Sequence, residues 1–212
     1  MLGDFAMKIA IVGAGNVGKA LGSKLSSKHE ILYAVRDPAK AAGTSGHGAK
    51  VVPLSAAASA DVLIVTTPYE AAVPALKACG NLNGKIVIDA TNPLTRSPTG
   101  LSLSLGFDRS AAEEIAHQVP GIRLYKAFNQ TGFGNMEHPE RYATQPVMFV
   151  AGDDAAGKAT VLGIVADAGF AAVDAGPLER ARLLEPLAML WISLAFSGLG
   201  RDFAFALVKP TK

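Results

Sequence analysis

Three glycines, Gly13, Gly15 and Gly18, stand in a G-x-G-x-x-G spacing directly after the apolar run from Lys8 to Val12. That spacing carries chemistry when it follows a strand and opens a helix, because the unpaired N–H groups of the helix N-terminus then face an anion. Ile9 to Val12 have the β-branched character of a strand, and Asn16 to Lys24 are good helix formers. Gly13 would allow the tight turn, Gly15 the close approach of a pyrophosphate, and Gly18 the close packing of helix on strand. The pattern predicts a dinucleotide site.

The end of the next strand-like run selects the nucleotide. An NAD-preferring site places a carboxylate there for the ribose 2′-hydroxyl. Here the run reads Tyr33-Ala34-Val35-Arg36-Asp37. A guanidinium at Arg36 suits a 2′-phosphate through charge-assisted hydrogen bonds, and Lys40 adds a second cation one turn on. The reading favours NADP; one residue of slippage would instead make Asp37 the acid of an NAD site.

Three further segments end predicted strands: Thr66-Thr67-Pro68, Ala90-Thr91-Asn92-Pro93 and Ala127-Phe128-Asn129-Gln130. Ligands of an open α/β sheet bind outside the carboxyl ends of its strands. Hydroxyls and amides in those positions suit hydrogen bonds to a ribose and a carboxamide. No tyrosine has a lysine four residues later, and no G-x-S-x-G elbow is present. His29, His47, His117 and His138 form no metal-ligand spacing and read as surface or loop histidines. No residue is assigned to catalysis, and no metal is expected. Hydride passing directly between two rings asks mainly for alignment.

The elements that would position these groups alternate. Strand-like runs KIAIV, EILYAVR, AKVVPL, DVLIVTTP and GKIVIDATN are followed by IRLYKAFN, PVMFVAGD and FAAVDAG. Helices are expected over about Asn16–Ser27, Pro38–Ala42, Tyr69–Cys79, Arg109–Gln118 and Asp154–Asp167, with a long loop before Arg109. Near-continuous Val, Ile, Leu and Ala mark strands covered on both faces. The fold class is therefore α/β, a doubly wound, mostly parallel Rossmann sheet with a C-terminal helical segment. The expected division is 1–175 for the nucleotide domain and 176–212 for the helical segment. Within the latter, Leu183, Leu184, Leu187, Leu190, Trp191 and Leu194 form an apolar stripe that must be buried, in the core or against a second subunit.

Composition narrows the class. The 212 residues are 50% hydrophobic and 18% charged with a net charge of +2, and no basic block points to nucleic acid. Cys79, the single cysteine, reads as a buried spectator. The start, MLGDFAM, lacks the features of a secretory leader, and Met7 is an alternative start. The longest uncharged stretch, between Glu185 and Arg201, falls short of the ~20 apolar residues of a membrane span. A cytoplasmic protein is expected.

KIAIVGAGNVGKAL, VRDPAKA, and the long block from VAGDDAAGKATVLG to DAGPLERARLLEPLAMLW carry a resemblance over nearly the whole chain. The chain resembles the coenzyme F420-dependent NADP oxidoreductases and the related NADPH-binding domain of membrane ferric reductases. The resemblance implies a homodimer that passes hydride between NADP(H) and F420 or a flavin-like acceptor, with its acceptor cleft near the C-terminal helix. It implies that Gly13, Ala14, Gly15, Asn16 and Val17 hold the pyrophosphate and that Arg36 and Lys40 take the 2′-phosphate. Thr66, Thr67, Pro68, Ala90, Asn92, Pro93 and Asn129 would line the ribose and nicotinamide. Val35 replaces the serine the family often has before the arginine. For the acidic tail of F420, the cations at hand are Arg96 and Lys126. Two other readings stand beside this one: a non-catalytic NADP(H)-binding sensor or subunit, and an NADPH-dependent imine or carbonyl reductase.

Overall fold

The computed structural model describes residues 6–41, 43, 48–98 and 100–210. Strand β1 (Lys8–Val12) leads through the glycine turn into helix α1 (Asn16–Leu25) and returns as β2 (Glu30–Val35). Strand β3 (Lys50–Pro53) lies beyond β2, and the chain then crosses back to β4 (Val62–Val65), α2 (Tyr69–Ala78) and β5 (Ile86–Asp89). A hairpin of β6 (Leu94–Ser97) and β7 (Gly100–Leu103) precedes α3 (Ala111–Gln118), β8 (Arg123–Lys126) and the short α4 (Phe133–Glu137). Strand β9 (Val147–Gly152), α5 (Ala155–Asp167), β10 (Ala171–Gly176) and α6 (Ala181–Leu194) complete the order.

The main sheet has eight strands in the order β10-β9-β8-β5-β4-β1-β2-β3. Strands β3, β2, β1, β4, β5 and β8 run parallel, with Ile9 opposite both Ile31 and Val62. Beta9 pairs antiparallel to β8 and parallel to β10, so the last two strands reverse the sheet. One face is covered by α1, α4 and α5 through Leu21, Leu25, Met136, Val161 and Ile164. The other is covered by α2 and α3 through Ala72, Leu76, Ala112 and Ile115, where Cys79 is also buried. Burial holds the Cys79 thiol up at about 11, a spectator's environment.

The segment expected as a long loop is partly ordered by the β6–β7 hairpin, because Ser104 N–H and its hydroxyl both close on the Pro93 carbonyl. The helix expected near Pro38 is only a turn over residues 38–41, and Ala42 lies outside the described residues. His29 is buried rather than superficial: its ring faces Met7 N–H and the Asp167 carboxylate at 3.2 Å. His47 and the first five residues lie outside the described residues.

A buried ion cluster ties the last helix to the sheet. Lys126, wholly buried, lies 2.9 Å from Asp89 and 2.9 Å from Glu185, and donates to the Thr91 carbonyl at 2.7 Å. Burial alone would push the Lys126 ammonium toward neutrality, but the pull of Asp89 and then of Glu185 outweighs it and holds the group charged. Two carboxylates against one ammonium leave excess negative charge. The N-terminus of α3 meets it, with Ala111 and Ala112 N–H donating to Glu185. A capping box of Ser110 and Glu113 completes that helix end. Arg182 of α6 then clamps Glu113 at 2.7 Å.

Counted with its flanking turns, the last helix runs 22 residues from Leu178 to Leu199, long and apolar enough by length and composition to cross a membrane. The charge-free count from Glu185 understated it, because Glu185 is paired and buried within the helix. Positive-φ glycines Gly198 and Gly200 end it and turn the tail back. There Phe203 stacks on Trp191 at 5.1 Å, its carbonyl accepts from the indole N–H, and the Phe205 carbonyl accepts from Val147 N–H.

Replacing Lys126 by Met leaves Asp89 and Glu185 facing each other in a dry site, and should cost about 3–5 kcal/mol. Glu185→Gln keeps one ion pair and should cost about 1–3 kcal/mol. Urea unfolding followed by the single tryptophan checks both; a Lys126→Met cost below about 1 kcal/mol would show that the cluster is dispensable.

Candidate functional site

Strand order reverses between β1 and β4, since the chain builds outward to β3 and then returns to the other side of β1. A crevice opens at such a point. The carboxyl ends of β1 and β4 flank it here. Gly13 adopts φ +108° and donates its N–H to the Ala34 carbonyl, while its own carbonyl accepts the Thr66 hydroxyl at 2.8 Å. A Cβ on Gly15 would meet nothing within 4 Å, which leaves the turn open to a ligand. A Cβ on Gly18 would stand 2.2 Å from the Gly13 carbonyl oxygen, so this third glycine is needed for helix and turn to pack.

Gly15 caps α1 with no side-chain acceptor, and the first turn contains no acidic residue. The N–H groups of Asn16, Val17 and Gly18 therefore face an anion site unopposed. Asn16 is exposed and Val17 packs partly against the core, so their contribution lies in the backbone.

A cavity of about 670 Å³ starts at this turn, a size that suits a small-molecule site. Gly13, Ala14, Gly15, Thr66, Thr67 and Pro68 line one end, and Arg36, Asp37 and Lys40 the other. Arg36 is exposed just past β2 with no ion pair among the described residues. Lys40 bridges Asp37 at 3.4 Å, and Asp37 also accepts the Lys40 N–H. The carboxylate that could have read as the acid of an NAD site is thus engaged by the neighbouring cation. Thr67 Oγ1 is buried without a hydrogen-bond partner, as is Thr91 Oγ1 after β5. Unsatisfied hydroxyls are uncommon in a folded interior, and a bound nucleotide could satisfy them.

Ala90, Asn92, Pro93 and Asn129 do not line this cavity; they form a separate rim after β5 and β8. Asn92 donates to the Asn129 carbonyl at 2.9 Å. The Asn129 amide donates to Asn92 Oδ1 and to the Leu184 carbonyl of α6, and its oxygen accepts from Gln130. With both amide hydrogens committed and only 4% of its surface exposed, Asn129 stands behind the rim as a strut. Phe128 just before it is buried at φ +62°, a strained conformation for an aromatic residue.

Lys126, named with Arg96 as a cation at hand for an acidic tail, is enclosed between two carboxylates and has no access to a ligand. Part of the signal was present: Asp89 ends the otherwise apolar β5 and stands at the same register as Lys126 at the end of β8. Lone charges in buried strands are expected to be paired. Arg96 does reach a second cavity, of about 600 Å³, between the tip of the β6–β7 hairpin and the C-terminal half of α6.

Residues 8–93 match the family described as NADP oxidoreductase, coenzyme F420-dependent. The F420-dependent NADP reductase of Methanothermobacter thermautotrophicus is 30% identical over 220 residues, covering 92% of this chain and 91% of the relative. Metalloreductase STEAP3 of Rattus norvegicus is 29% identical over 189 residues, 87% of this chain, but the chain spans only 37% of that protein. A crystal structure from Arthrobacter sp. FB24, assigned as an F420-dependent NADP reductase, superposes with a TM-score of 0.89 at 28% identity, over 96% of this chain and 100% of the other.

Gly18→Ala should force helix and turn apart and destabilise the protein by about 1–3 kcal/mol. Gly15→Ala, with open space around the new methyl, should cost well under 1 kcal/mol in the free protein. Thermal melts of the two variants check the contrast, which equal costs would contradict.

Proposed function

The chain belongs to the coenzyme F420-dependent NADP oxidoreductase family, and on that footing we propose that it transfers hydride between NADP(H) and F420 or a flavin-like acceptor. The observation that carries the reading is the switch-point cavity, with an uncapped helix N-terminus at one end and Arg36 at the other. An extended dinucleotide with a 2′-phosphate matches both ends. In this reading the backbone from Gly13 to Val17 holds the pyrophosphate, and Arg36 with Lys40 holds the 2′-phosphate. Thr66, Thr67 and Pro68 take the ribose, and Ala90, Asn92 and Pro93 line the nicotinamide, with Asn129 bracing them from behind.

NADPH supplies a hydride from C4 of its dihydronicotinamide; the acceptor takes that hydride together with one proton from solvent, leaving NADP⁺. The protein's part is alignment and the exclusion of side reactions. The rim offers amides, a hydroxyl and proline, and the charged groups that touch it, Asp89 and Lys126, are buried behind it and paired with each other, which supports direct transfer. Residues 176–212 act as the acceptor side of the cleft and as a dimer contact. Leu183, Leu190, Phe196 and Leu199 expose 51 to 66% of their surface along one helix, which supports a homodimer joined there. We place the protein in the cytoplasm.

Arg36→Ala should weaken NADPH about tenfold while leaving NADH nearly unchanged, the loss of a charge-assisted phosphate contact. Anaerobic NADPH oxidation with F420, FMN, FAD and riboflavin offered separately should show saturable turnover with at least one of them. Tight NADPH binding with no turnover on any acceptor would overturn the oxidoreductase reading in favour of a sensor.

A further inference from the structure

At the far end of the switch-point cavity, beyond β2, charges of both signs stand within one turn of chain: Arg36, Asp37 and Lys40 all line it. Arg36 has no ion pair among the described residues. Asp37 makes two long contacts. Its Oδ1 accepts the Lys40 N–H at 3.4 Å, which closes the turn, and its Oδ2 faces the Lys40 ammonium at 3.4 Å. Both distances exceed the usual range of an N–H···O bond. The Lys40 and Asp37 side chains are 87% and 48% exposed. A solvated pair of this kind shifts an equilibrium by about fivefold at most.

A nucleotide therefore meets two chemistries in one place. A 2′-phosphate suits the Arg36 guanidinium and draws the Lys40 ammonium off Asp37, whose carboxylate then repels it. A ribose with free 2′- and 3′-hydroxyls instead offers O–H donors, and of the three side chains only the carboxylate can accept them. A charge-assisted bond from a ribose hydroxyl outweighs the exposed pair it displaces.

We propose that Asp37 is a second nucleotide-selecting residue: by exchanging Lys40 for the hydroxyls of an unphosphorylated ribose, it lets the cavity take NADH as well as NADPH. It also holds the preference for NADPH below what Arg36 and Lys40 alone would give. The proposal rests on reading this cavity as the nucleotide site and deepens that reading. Asp37 thus has a role beyond closing its turn, and substitution separates the two. Asparagine keeps the Oδ1 acceptor and loses the charge.

Isothermal titration with NADPH and with NADH, on the parent protein, Asp37→Asn and Lys40→Gln, tests the proposal without reference to turnover. The parent should bind both, NADPH more tightly. Asp37→Asn should weaken NADH about tenfold and tighten NADPH about threefold, with its melting temperature unchanged. Lys40→Gln should tighten NADH about twofold by freeing the carboxylate, while weakening NADPH. NADH that fails to bind the parent at about a thousand times the Kd of NADPH overturns the proposal. So does an Asp37→Asn variant in which NADH is unchanged. Equal loss of both nucleotides with a lowered melting temperature would confine Asp37 to the turn and overturn it too. If NADH depends on Asp37 while NADPH is indifferent to Arg36→Ala, the Asp37 site stands and the 2′-phosphate reading falls. If neither nucleotide binds the parent, both fall.

Discussion

One ammonium group, buried where three parts of the molecule meet, constrains the rest of the site. Lys126 joins the ends of β5 and β8 to α6 through Asp89 and Glu185 and fixes the Thr91 carbonyl beside Asn92. An ion pair in a dry interior is poor glue on its own, since desolvation offsets much of the attraction. What it provides here is definition. The residual negative charge needs the N–H groups at the start of α3, so sheet, α3 and α6 are satisfied in one arrangement. The rim and the hairpin that continues from it inherit that placement.

The other half of the site needs no charge cluster, because topology supplies it. Reversal of strand order beside β1 opens the crevice, and Gly13 with Gly18 brings the turn and the first helix close enough for backbone donors to converge. The two halves are built differently: one from backbone at a switch point, the other from side chains braced by a buried network. Phe128, held at φ +62°, lies between the strand carrying Lys126 and the Asn129 strut. The surrounding packing thus sustains strain at the join.

The glycine turn was the most legible part of the sequence, because glycine spacing reports backbone geometry directly. The parallel strands were legible as unbroken apolar runs, and they appear near their expected places. The reversal of β9 and β10 was not, since a strand's direction leaves little trace in its own residues. The β6–β7 hairpin was passed over as a loop although Leu101-Ser102-Leu103-Ser104-Leu105 alternates as a half-buried strand does, because its partner Leu94–Ser97 is only four residues long and mostly polar. The burial of Lys126 was hard to read because a lysine is ordinarily a surface residue, and its two partners come from elements distant in sequence. Asn129 was read as lining the ligand, yet its neighbours take up its amide. Sequence names polar residues at strand ends, and only the fold tells struts from ligands.

The central claim is that hydride passes directly between two aligned rings with no proton exchanged by a protein group. Anaerobic single-turnover reduction of F420 by NADPH deuterated at C4 tests this most directly. The account predicts that the transferred deuterium appears at C5 of the reduced F420, with a primary isotope effect and a rate that is flat across neutral pH. Solvent hydrogen at that carbon, or a rate that titrates with a single protein group, would contradict it.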